Sequence, residues 1–250
     1  MKKVFFGSIA VLAMVFSGNA QERLTSKDLE FVGIQHNQGL EKVYNFIVEN
    51  KIDDKSKSKV VDFILEIAKE NSRSDEEFEL ASKLIKNSFS NNYSSDRLYT
   101  EDLTEKLSDI DKSYLDKLND LLNNNYENSD QFTKAVAELE NSIDGNKNLN
   151  NNDLLVLYTA TNTAKYSFQY WERNSEKWTS LNKNESTMKR GGRRIVGADI
   201  IGGVAGAAGA WIVNVMPGAG QVAYGSAIVG AAVGNSICEA GSQLMDWLGW

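Results

Sequence analysis

A glycine-ruled apolar hairpin closes this chain, and it limits what the rest can fold into. Residues 195–216 read IVGADIIGGVAGAAGAWIVNVM, the only proline follows at Pro217, and 219–238 read AGQVAYGSAIVGAAVGNSIC. Small residues recur every four positions: Ala198, Gly202, Gly206 and Ala210, then Ser226, Gly230, Gly234 and Cys238. This spacing lets helix backbones approach closely. Neither helix has a charged face, so each must be covered by lipid, by protein or by the other. Pro217-Gly218-Ala219-Gly220 suits a tight reversal, because proline stops a helix and glycine permits positive φ.

The first of these helices is about 33 Å long at ~1.5 Å per residue, against a hydrocarbon core of ~30 Å. Its eight Ile and Val residues are worth on the order of −2 to −5 kcal/mol for insertion, which Asp199 opposes by up to ~3 kcal/mol if central. Insertion is therefore marginal, the energetic profile of a segment that is soluble in one state and membrane-embedded in another. Arg193 and Arg194 would attract anionic headgroups, and Trp247 and Trp250 suit an interface belt. On an exported chain this cationic flank runs against the positive-inside rule, which favours binding from the outer surface. The alternative is a Gly/Ala-rich pair buried in a soluble core or a homo-oligomer.

Met1-Lys2-Lys3, the apolar run Val4 to Phe16 and the small residues Ser17-Gly18-Asn19-Ala20 read as an export signal cut before Gln21. The formal charge of the chain is −7, unevenly distributed. The signal carries two lysines, and Lys189, Arg190, Arg193 and Arg194 add four cations against the three anions Asp199, Glu239 and Asp246, so 21–188 holds a net −10. An acidic body argues against nucleic acid as the partner. Cys238 is the lone cysteine and reads as a small hydrophobe on the hairpin seam.

Between Glu22 and Met188 the chain reads as helix after helix, with no sustained period-two run. Stripes fall at Leu40, Val43, Tyr44 and Ile47, and at Val60, Phe63, Ile64 and Ile67. Ser74 and Glu77 form a capping-box pattern ahead of Phe78, Ala81 and Ile85. Thr100 opens one long helix carrying Leu103, Leu107, Ile110, Tyr114, Leu118 and Leu121. Ser129 caps a helix with Phe132, Val136, Leu139 and Ile143, and Asn152 or Asp153 opens a last one through Leu154, Tyr158, Phe168 and Trp171. The fold class expected is all-α: a helical bundle, then a Gly/Ala-rich hairpin. The divisions are 1–20 signal peptide, 21–181 acidic helical domain, 182–194 basic linker and 195–250 hairpin.

Chemistry-bearing patterns are sparse. His36 is the only histidine, no spaced His/Cys set offers a zinc site, and no Gly-Lys-Ser/Thr supports a phosphate loop. No catalytic, cofactor or metal residue is assigned. His36-Asn37 at a helix edge reads as a cap, with a functional pair as the alternative, and Trp171 and Trp178 read as core, with a sugar or lipid contact as the alternative.

Gly33-x-x-His36-Asn37-x-x-Leu40, Ser167-x-x-Tyr170-Trp171, Trp178 and Ala198-Asp199-x-x-Gly202 together resemble a loose group of uncharacterised exported bacterial proteins. The resemblance implies that His36-Asn37 and Asp199 belong to a shared architecture. The tail is similar to two-peptide bacteriocins, whose helices associate through Gly-x-x-x-Gly, and Gly191-Gly192 resembles their double-glycine processing site, which would release 193–250. The function expected is that of an exported non-enzymatic protein, periplasmic, envelope-associated or secreted. Its hairpin associates with or inserts into a membrane, as in a bacteriocin or toxin, through Ala198, Gly202, Gly206, Ala210, Ser226, Gly230 and Gly234. The partners expected are membrane lipid and a second copy or another protein. The alternative is a soluble envelope interaction protein using the hairpin as its oligomer or partner interface.

Overall fold

A computed structural model describes residues 23–52, 57–72, 75–90, 97–181 and 188–213. Every regular element among them is helical. The signal peptide, Ser74, Ser226, Gly230, Gly234, Cys238, Trp247, Trp250 and the side chains of Arg193, Arg194 and Ala210 lie outside the described residues, and with them the second hairpin helix.

After a 3-10 turn at Ser26–Leu29, α1 runs Glu30–Asn50. It begins well before the apolar stripe that announces it, because Val32 and Gly33 are also buried. It ends at Lys51 in the left-handed region, φ 49°, where Ile52 N–H bonds the Ile47 carbonyl at 3.1 Å. That closure satisfies carbonyls a helix terminus otherwise orphans. The pair α2 (Lys57–Asn71) and α3 (Asp75–Ser90) follows, and Phe63 of α2 stacks on Phe46 of α1 with ring centroids 4.1 Å apart.

The long helix expected from Thr100 is two helices, α4 (Glu101–Thr104) and α5 (Asp109–Asn123). Ser108 breaks it: its hydroxyl accepts from Asp111 N–H while the Asp111 carboxylate accepts from Ser108 N–H, a capping box that starts a new helix. Two caps also shift. Asn128, not Ser129, caps α6 (Ser129–Gly145), and Asn150 caps α7 (Asn151–Thr179) with Asp153 at its third position. The freed Ser129 instead donates its hydroxyl to Glu172 of α7.

Helix α7 is the axis of the molecule. It packs against α1, α5, α6 and α8, and all its residues from Asp153 to Ala164 are buried. Helix α8 spans Met188–Val213, so helical backbone begins inside the stretch expected as a linker. From Ile195 to Ala208 it is wrapped in protein, with only Gly197 and Ala205 half-buried. Among the described residues no helix is long and apolar enough to cross a membrane. The transmembrane helix expected from 195 onward is, over 195–208, a core helix lying on α7.

The two helices run antiparallel. Ser167 meets Asp199, and a Cβ placed on Gly203 would lie 3.0 Å from Thr163 Oγ1 and 3.2 Å from Thr159 Cγ2. Thr159, Thr163, Ser167 and Trp171 thus form one stripe of α7 at four-residue spacing, facing Asp199 and Gly203. Such close approach is what small residues permit. Ala198, Gly202 and Gly206 are all buried in this same stretch.

Candidate functional site: a buried His36–Asp199 cluster

The motif pieces scattered over 170 residues of sequence converge at the junction of α1, α7 and α8. His36 is not a helix-edge cap. It lies inside α1, fully buried, with its Nε2 3.4 Å from Oδ2 of the equally buried Asp199. The α1 helix turns His36 inward because Val32, His36, Gly39, Leu40 and Val43 occupy one buried stripe at helical spacing.

Neighbours fix the ring. Asn37 Nδ2 donates to the Tyr166 carbonyl at 3.0 Å, which leaves Asn37 Oδ1 to face His36 Nδ1, also at 3.0 Å. Nδ1 therefore carries hydrogen and donates, and Nε2 is the atom presented to Asp199. On the carboxylate side, Oδ2 accepts from the Ser167 hydroxyl and from Trp171 Nε1 at 3.3 Å. Oδ1 of Asp199 has no hydrogen-bond partner among the described residues. Two hydrogen bonds thus reach Oδ2, while His36 Nε2 faces it at 3.4 Å without a hydrogen bond.

Around this centre the aromatic residues interlock. Trp178 Nε1 donates to the Tyr170 hydroxyl at 2.9 Å, and Trp171 and Trp178 lie with ring centroids 5.5 Å apart. Tyr44 of α1 meets Trp178 edge-on at 5.3 Å, and the Lys177 ammonium sits 4.0 Å over the Tyr44 ring while pairing with Glu41. Burial pushes the Tyr170 phenol well above its usual range. Outside the cluster, Asn37, Gln38, Glu41, Lys42, Tyr170 and Asn174 border an open groove of about 520 Å³ between α1 and α7.

The order of contacts decides what this chemistry can do. A nucleophilic relay places the imidazole between hydroxyl and carboxylate. Here the carboxylate sits between hydroxyl and imidazole, and His36, Ser167 and Asp199 are all fully buried. Among the described residues no group of three or more His, Cys, Asp or Glu side chains could hold a metal ion. What the arrangement does supply is a tether. It joins α1 and α7 to the single acidic residue of α8, inside a core where an unpaired charge costs several kcal/mol.

Of the hairpin residues singled out from sequence, Ala198, Gly202 and Gly206 lie in the described core. The basic pair and the terminal tryptophans fall outside it. Sequence reading missed Ser167 as a ligand of Asp199, and the threonines Thr159 and Thr163. The available signal was small polar residues, Thr159, Thr163 and Ser167, at four-residue spacing leading to Trp171. A second polar network was likewise silent in sequence: Glu140 receives Lys165 at 2.8 Å, Thr161 at 2.7 Å and Ser26 at 2.7 Å. Comparison with known protein families, curated proteins and solved structures finds no match.

Proposed function

We propose that this chain is an exported, non-enzymatic helical protein that sheathes an apolar glycine-zipper helix in an acidic body and engages a membrane with its C-terminal hairpin, as a bacteriocin-like or toxin-like protein does. The observation that carries the reading is the burial of 195–208, whose one charge is held by His36, Ser167 and Trp171. A helix of marginal lipid affinity gains a water-compatible berth this way, and the berth is specific because Asp199 has defined partners. Sheathing predicts that α8 must leave α7 before the hairpin meets lipid.

A disulfide lock tests this. The distance from a Cβ on Gly203 to Thr163 Cβ is 3.8 Å, within the span a disulfide bridges. Thr163→Cys with Gly203→Cys, in a Cys238→Ser background, is expected to leak anionic phosphatidylglycerol vesicles when reduced and to be silent when oxidised. No binding and no leakage in the reduced state would remove the membrane reading.

The same burial favours a second reading, in which α8 stays a core helix and the hairpin is an oligomer or partner interface of a soluble envelope protein. Carbonate-resistant membrane association supports the first reading. A monodisperse oligomer in the soluble fraction supports the second.

A further inference from the structure

We propose that the His36–Asp199 pair is an acid-sensitive latch, holding α8 in the body at neutral pH and releasing it when the carboxylate takes up a proton. The latch rests on α8 being the element that leaves the body, and it adds the condition under which it leaves.

The geometry supplies the argument. With Nδ1–H committed to Asn37, attraction between Nε2 and Asp199 Oδ2 across 3.4 Å depends on a proton at Nε2 and a charge on the carboxylate. Protonating Asp199 then has three consequences. The imidazolium is left buried beside a neutral group, an uncompensated charge in a dry core. The bonds accepted from Ser167 and Trp171 lose their charge assistance. The charge that opposed transfer of α8 into lipid disappears. All three act in the same direction, away from the docked state.

Few other titratable groups border the pair. Glu30 of α1 accepts from the Tyr166 hydroxyl of α7, and Glu41 of α1 pairs with Lys177 of α7, both toward the surface. Tyr170 of α7 is engaged with Trp178. Helix α3, which also packs on α8, buries Ala81 and Ile85, and α5 buries Leu115, Leu118 and Leu122 beside two titratable groups engaged elsewhere: Asp111, bonded to Ser108 with its carboxyl pushed up by burial, and Tyr114, bonded to the Ser142 carbonyl. Asp199 is thus the one ionisable side chain among the described residues placed against the His36 ring.

The test uses the full mature chain. A reporter thiol, Ala207→Cys in a Cys238→Ser background, is fully buried in the docked state and is read with a pyridyl disulfide, which reacts at acid pH. Labelling is expected to rise on the order of tenfold or more on going from neutral to acid pH. Asp199→Asn is expected to label fast at both pH values, with the step gone. A flat wild-type profile, or a step that survives Asp199→Asn, overturns the latch. Should Asp199→Asn fail to fold by circular dichroism, Ser167→Ala carries the test. It removes a donor to the carboxylate, so the step is expected at higher pH, and an unmoved midpoint overturns the latch. Dye release from phosphatidylglycerol vesicles is followed in parallel. A labelling step without release keeps the latch and removes the membrane reading. Release without a labelling step does the reverse.

Discussion

At Gly33 a Cβ would stand 2.4, 2.6 and 2.7 Å from the Cδ2, Cγ and Cβ of Tyr166, closer than side chains ever approach. Tyr166 cannot yield freely, because its hydroxyl bonds Glu30 at 2.6 Å and its carbonyl accepts from Asn37. Gly33→Ala should therefore force α1 away from α7 and cost about 1–3 kcal/mol, the range for overpacking, seen as a lower urea midpoint with unchanged slope. Tyr166 also titrates late. Burial, helped by the hydrogen bond to Glu30, pushes its phenol up to about 12. A phenol harder to ionise when folded binds its proton more tightly in the native state, so its contribution is intact below about pH 10 and fades as pH climbs above that. Ultraviolet titration should show a tyrosinate fraction absent until near pH 12, and Tyr166→Phe should reduce it, leaving the still later Tyr158 and Tyr170. A third residue effect has the opposite sign. Thr163 Oγ1 is buried without a hydrogen-bond partner among the described residues, so Thr163→Val replaces an unsatisfied hydroxyl by a methyl and should be neutral or stabilising by up to ~1 kcal/mol; a loss above that would mean the hydroxyl bonds something in solution.

Elements with a clean apolar stripe were legible as helices, and those that shifted did so for local reasons. The run Leu103, Leu107, Ile110, Tyr114 keeps helical spacing straight through a break, because hydrophobic periodicity carries no record of Ser108 bonding its own third neighbour. The start of α1 was hidden because Gly33 and His36 are buried without being apolar. The His36–Asp199 contact was not legible from local pattern, because it depends on how α1 and α8 meet α7. Lys51 is an element-scale weakness that only the backbone reveals. It is the one described non-glycine residue with positive φ, a conformation that costs an L-residue roughly 1 kcal/mol and that glycine adopts freely. Lys51→Gly should stabilise the α1 terminus by a few tenths to about 1 kcal/mol, read as a raised thermal midpoint. Ser108→Ala should do the reverse. It loses a cap worth about 1 kcal/mol together with the hydroxyl donated to Asp153 at 3.2 Å.

For the molecule as a whole, the sequence separates an acidic bundle from an apolar hairpin, whereas the structure seats the first hairpin helix against the bundle's central one. The buried face of α7 contains Thr159, Thr163, Ala160, Ala164 and Ser167, residues too small and too polar to close a core by themselves. Their complement is α8, which brings Ile195, Val196, Ile200, Ile201 and Val204 into the same interior. Each large aliphatic side chain so buried is worth roughly 1.5–3 kcal/mol, so the five together contribute about 7.5–15 kcal/mol, as much as the ~5–15 kcal/mol net stability typical of a domain. The body and α8 are in that case one folding unit. A chain ending at residue 187 should bind a hydrophobic dye, lose near-ultraviolet circular dichroism and unfold without a sharp transition, while keeping most of its far-ultraviolet helix signal. An independent body would instead unfold cooperatively with the midpoint of the full chain. Such an outcome would also sink the sheath, since a core that stands without α8 has no need to hold it.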